Sequence, residues 1–162
     1  MGYQIGDKVI HWTYGLGEIV GRDEKRLAGQ KRAYYVVELS DLTIWVPADE
    51  RGMQSIHLPI DRTEFETFLE VINDPGEELP EDKKERQSLL AQRIKNPTCE
   101  NLCTTIRDLV TRARTHKLDR TDHEVLNRAQ EYLLNEWELS LGTPRTEARK
   151  QLQSYLGVAS QG

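Results

Sequence analysis

Cysteine is scarce in this 162-residue chain: Cys99 and Cys103 are the only two. They sit four apart on one expected helix, which excludes a disulfide framework and the small secreted folds that depend on one. Zinc would need two more ligands. The nearest candidates, His116 and His123, have no ligand-like spacing, so the thiols read as small buried hydrophobes, with no metal and no cofactor expected. No run of eighteen apolar residues occurs, so no membrane span is expected. The opening MGYQIGDKV has no apolar signal core, and Gly6 stands where a myristoylation signal needs Ser or Thr. A cytoplasmic protein is therefore expected. Positive charge is also in the minority. Against 27 Asp and Glu there are 22 Lys and Arg, a formal net charge of -5, which excludes coating nucleic acid by bulk attraction and leaves only local contact. No nucleophile motif such as G-x-S-x-G occurs. Carboxylates fall on helix surfaces and first turns, where dipoles and lysines account for them. Nothing argues for an enzyme.

What is present has two grammars. The first half holds short runs rich in β-branched and aromatic residues: KVIHW (8–12), GEIVG (17–21), AYYVVEL (33–39) and LTIWV (42–46). Gly, Asp, Ser or Pro bound each run, so they predict strands joined by hairpins. DEKRLAGQKR (23–32) reads as a charged loop with Gly29 near its tip. Such a sheet buries its apolar face by curling into a small antiparallel β-barrel. The second half has helical spacing. Phe65, Phe68, Leu69 and Ile72 mark one helix, and Leu89, Leu90 and Ile94 mark a second over Lys83 to Lys95. Asn96 and Pro97 open a third, with Leu102, Ile106, Leu109, Val110 and Ala113 inward. A capping box from Thr121 to Glu124 opens a fourth, which Gly142 ends. A fifth starts at Thr143-Pro144 and stops at Gly157. The fold class is thus a β-barrel domain over residues 1–58 and an all-α bundle of about five helices over residues 59–162.

HWTYGLGEIVG (11–21) sets three large rings beside three glycines. A dinucleotide loop is excluded, because Gly15-Leu16-Gly17 lacks the third glycine at the right offset and a strand follows it. Two readings stay open. In one, the glycines turn a hairpin corner and the rings cover the barrel end. In the other, Trp12, Tyr14, Tyr34 or Tyr35, and Trp45 form a cage for a cation or peptide.

These stretches resemble the CarD/CdnL family of bacterial transcription regulators. The likeness rests on Gly6-Asp7-Lys8-Val9, the turn Tyr14 to Gly17, Gly29, Tyr34 or Tyr35, and Val46-Pro47. It continues through Arg107-Asp108-Leu109, Leu118, Glu124, Leu126, Ala129, Leu133 and Glu136. Transcription-repair coupling factors carry a similar barrel. The resemblance implies a Tudor-like barrel that binds the β subunit of RNA polymerase by aligning an exposed strand with one of the polymerase's own. The matching strand is Leu42 to Val46, ended by Pro47, which cannot donate to a ladder. Alternation puts Thr43 and Trp45 on one face and Leu42, Ile44 and Val46 toward the core. The implied polymerase contacts are Thr43, Ile44, Trp45 and Val46, with Lys25 and Arg26 facing acidic groups. The family's helical domain lies near promoter DNA, where a Trp wedges into the minor groove. This chain has Leu79-Pro80-Glu81-Asp82-Lys83-Lys84-Glu85-Arg86 there and no Trp. Trp137 has core spacing and is no substitute. Lys83, Lys84 and Arg86 remain as phosphate contacts, so the implied DNA binding is weak and mainly within the polymerase complex. A monomer, placed at the nucleoid through polymerase, is expected.

Overall fold

The computed structural model describes residues 2–49, 52, 54–95 and 97–160, the side chains of 158–160 excepted. The chain divides into two compact units, Met1–Pro59 and Ile60–Gly162.

The first unit is a five-stranded antiparallel sheet: β1 (Lys8–His11), β2 (Gly15–Leu27), β3 (Gln30–Leu39), β4 (Thr43–Pro47) and β5 (Ile56–His57), in the order β4-β3-β2-β1-β5. Val9, Ile19, Tyr35, Val37, Leu39, Val46 and Ile56 form its core. They alternate with outward residues, as a sheet with one buried face requires. The 23–32 segment is not a loop. Pairing of β2 with β3 continues out to Leu27 opposite Gln30, and the turn is only Ala28 and Gly29, at φ 53 and 79. Two left-handed residues make the turn whose twist matches the flanking strands. Charged side chains suit such a ribbon because both its faces are solvated. Leu42 also departs from expectation. It is exposed, because it belongs to the turn, where its carbonyl accepts from the Leu39 N–H at 2.8 Å.

The second unit holds α1 (Arg62–Val71), α2 (Lys83–Lys95), α3 (Cys99–Ala113), α4 (Arg120–Leu141) and α5 (Arg145–Ser160). Phe65, Leu69, Ile106, Leu133, Leu134 and Leu152 are buried among them, while Ala113 is exposed. Trp137 is core: Phe65 and Tyr155 meet it edge-on, and its indole N–H donates to Gln151 Oε1 at 3.0 Å. Three helix ends differ from the spacing argument. The cap of α3 is Thr98, whose hydroxyl accepts from the Asn101 N–H; Asn96 lies outside the described residues. The capping box of α4 is Asp119 with Asp122, two residues before the predicted one. An Asp at either end lets each carboxylate accept the other residue's N–H. Gly142 ends α4 in the left-handed conformation at φ 64, whereas Gly157 takes no left-handed turn and α5 runs through it.

Candidate functional site

The first candidate surface is the outer border of β4. This strand pairs with β3 on one side and ends the sheet on the other, among the described residues. Which backbone groups face outward follows from the ladder. The Leu39 N–H donates to the Leu42 carbonyl and the Ala48 N–H to the Ala33 carbonyl. Hydrogen-bonded and non-bonded pairs alternate along an antiparallel ladder. Residues 44 and 46 therefore turn their backbone groups toward β3, while Thr43 and Trp45 turn theirs away. Pro47 follows in the outward phase with a carbonyl but no N–H. The free border thus offers N–H and C=O at Thr43 and Trp45 and is blunted at Pro47.

Side chains divide the same strand. Val46 is buried and Ile44 packs against the core, whereas Thr43 and Trp45 stand on the opposite face. Trp45 is 42% exposed. It opposes Val36, which in turn opposes Gly21, so the indole crosses a low part of the sheet. Asp23 Oδ2 accepts from Trp45 Nε1 at 3.3 Å, and the Lys25 ammonium lies 4.3 Å from the ring centroid. A cation over an indole face contributes about 0.5–1 kcal/mol at an exposed site. Lys25 and Trp45 are thus brought together. Arg26 is not: it is one residue on and projects from the other face of the ribbon. Asp23 escaped sequence reasoning because only the strand register puts it beside Trp45.

The second candidate surface is the start of α2. Lys83 and Lys84 are exposed there. Arg86 is a correction. It is 5% exposed, donates from Nε to Asp122 Oδ1 at 3.1 Å and from Nη2 to Asp119 Oδ2 at 2.9 Å, and from Nη1 reaches the carbonyls of Pro80 and Glu81. Four of the five guanidinium N–H donors are spent on two carboxylates and two carbonyls, and the side chain is buried, so Arg86 is not presented to a phosphate. Its work is to tie α2 to the capping box of α4. The Asp122 N–H bond holds the Asp119 carboxyl below its usual range, and Arg86 adds to that effect.

The order of a small antiparallel sheet followed by a helical bundle agrees with the comparisons. The profile of the CarD-like/TRCF RID domain matches residues 3–58, and that of the CarD C-terminal domain matches residues 67–153, over half of the chain. This chain belongs to the CarD/CdnL family. A Bacillus subtilis (strain 168) protein named "Putative transcription factor YdeB" is 23% identical over 155 residues, which are 94% of this chain and 99% of that protein. The family is one of transcription factors, and its CarD-like domain is an RNA polymerase-interacting one.

Within this CarD-family chain the aromatic residues do not converge on a cage. Trp12 stacks on His57 at 4.1 Å and Tyr14 on His11 at 4.9 Å. Tyr35 is buried and meets Tyr3 edge-on, and Trp45 is held by Lys25. Hairpin closure accounts for the rings beside Gly15, which takes φ 87. His11 Nδ1 accepts from the N–H groups of Thr13 and Tyr14, both at 3.1 Å, and burial lowers its pKa, so a neutral ring braces the corner. Cys99 and Cys103 are free and buried. Burial pushes Cys103 up to about 12 and Cys99 up as well, which keeps both thiols protonated. No helix among the described residues is long and apolar enough to cross a membrane.

Proposed function

We propose that this protein is a non-enzymatic transcription regulator whose β4 border accepts a strand of the RNA polymerase β subunit. The observation that carries this is the outward phase of Thr43 and Trp45 on a border strand that, among the described residues, pairs only with β3. A partner strand would bond to those two residues and run out at Pro47, while Ile44 and Val46 hold the strand to the core. Trp45, flattened by Asp23 and Lys25, supplies an apolar anchor next to the new ladder; Trp is a frequent hot spot at interfaces. The helical unit is carried toward promoter DNA, with Lys83 and Lys84 as phosphate contacts. Its own hold on DNA is weak, since it lacks the family's wedge Trp and Arg86 is engaged internally.

The test measures capture of polymerase β subunit by the full-length chain. Trp45→Ala is expected to weaken capture by about 2 kcal/mol, roughly thirty-fold. Thr43→Pro removes one outward N–H without touching the phase that bonds β3, and a loss of similar size is expected. Far-UV circular dichroism checks that each variant is folded. Unchanged capture in both folded variants would remove the proposed docking.

A further inference from the structure

Among the described residues no third strand pairs with the β2–β3 ribbon beyond Ala33: β4 pairs with residues 34–38, and β1 pairs with residues 15–18. Residues 25–27 and 30–32 therefore extend as a two-stranded ribbon. Residues 25–32 carry four cations and no carboxylate in a chain whose net charge is -5. The register sets them in like pairs, Lys25 opposite Arg32 and Arg26 opposite Lys31. Like charges directly opposite one another destabilise a sheet, so folding alone gives no reason for the pattern. Lys31 reaches Glu24 at 3.1 Å, and Lys25 rests on Trp45. Arg26 and Arg32 are exposed and have no partner among the described residues.

The two like pairs point in opposite directions. Lys25 and Arg32 share the Trp45 face, and Arg26 and Lys31 the other. A flat acidic surface on a protein would engage one face and leave the second pair unused. A groove with two anionic walls engages both. The major groove of duplex DNA, about 12 Å wide, admits a two-stranded ribbon, and Lys and Arg are its usual phosphate contacts. Exposed Leu27 at the tip would face the groove floor. We infer that the end of the β2–β3 ribbon is a duplex nucleic-acid contact, made to both phosphate backbones by Arg26, Lys31 and Arg32. It is independent of the proposed strand docking.

The test is fluorescence anisotropy of the full-length chain with a labelled mixed-sequence duplex of about 30 base pairs, at KCl concentrations rising from about 50 mM, where phosphate contacts are strong. Weak, salt-sensitive binding is expected. Arg26→Ser/Lys31→Ser/Arg32→Ser should flatten the slope of log K against log salt by about 2–3, since each lost phosphate contact removes about 0.9. It should leave thermal stability unchanged or raised, because the like-charge repulsion is relieved. Trp45→Ala, which tests the polymerase docking, should leave the DNA slope in place. Absence of binding at the lowest salt, or an unchanged slope in the triple variant, would overturn the inference. So would a triple variant that loses capture of polymerase β subunit yet keeps its DNA slope, since the ribbon would then be a protein contact.

Discussion

The chain holds two clusters of basic residues, at 25–32 and at 83–86, and they meet opposite fates. At the start of α2, Arg86 turns inward onto Asp119 and Asp122, and only Lys83 and Lys84 stay on the surface. On the β2–β3 ribbon, the basic residues face one another across the ladder, and two arginines have no carboxylate partner among the described residues. The difference comes from local geometry. A helix start packed against another helix's capping box offers buried carboxylates within reach. A two-stranded ribbon offers each side chain only its cross-strand neighbour and solvent. Clustered charge becomes a binding surface where the fold leaves it unmatched.

That contrast can be broken most sharply at Arg86. Arg86→Met leaves the buried Asp122 and the Asp119 cap without their counter-charge. Loss of one partner from a buried pair costs about 3–5 kcal/mol, which urea unfolding would read as a large drop in midpoint. Arg26→Met on the ribbon should change stability by less than about 0.5 kcal/mol, as exposed substitutions do. Equal effects at the two arginines would erase the distinction.

A smaller effect lies in the acid range. The Asp119 pKa is lowered from 3.8, first by the Asp122 N–H and then by Arg86. A depressed carboxylate contributes stability that is complete above its ordinary value and is lost as pH falls through the lower folded value. Asp119→Asn should therefore be less stable than the parent at neutral pH, and the gap should close on acidification below that value. Thermal melts from neutral pH down into that range would check this, and a gap that widens would contradict the sign. The smallest effect is expected at Lys83→Gln/Lys84→Gln. Folding stability should barely move, while the salt slope of DNA binding should fall by no more than about 2, one phosphate contact for each lysine. No change in that slope would make the pair simple solvated surface.

Much of the architecture was legible in the residues. Period-two alternation in AYYVVEL and LTIWV and helical spacing around Leu102, Ile106, Leu133 and Trp137 yielded a small β unit followed by five helices. Gly142 was readable as a helix stop because only a residue without a Cβ takes the left-handed turn at low cost. Three details resisted. The 23–32 segment looked like a loop because its residues are polar, yet strand pairing needs backbone register and not apolar side chains. Leu42 looked like core by alternation, but its turn had not yet handed the chain to β4. Arg86 was indistinguishable from Lys83 and Lys84, since nothing local says that residues more than thirty positions away supply its carboxylates.

Composition and periodicity determined the class of fold and the strand that ends at Pro47, because those depend on each residue's own size, polarity and backbone limits. Only the tertiary structure decided which groups are left over. The outward phase of Thr43 and Trp45, the indole pinned by Asp23 and Lys25, the inward turn of Arg86 and the unmatched charges of the ribbon all depend on pairing between distant segments. A charge or a hydrogen-bonding group is free or satisfied only relative to its neighbours, and neighbours across a ladder or between helices are fixed by folding.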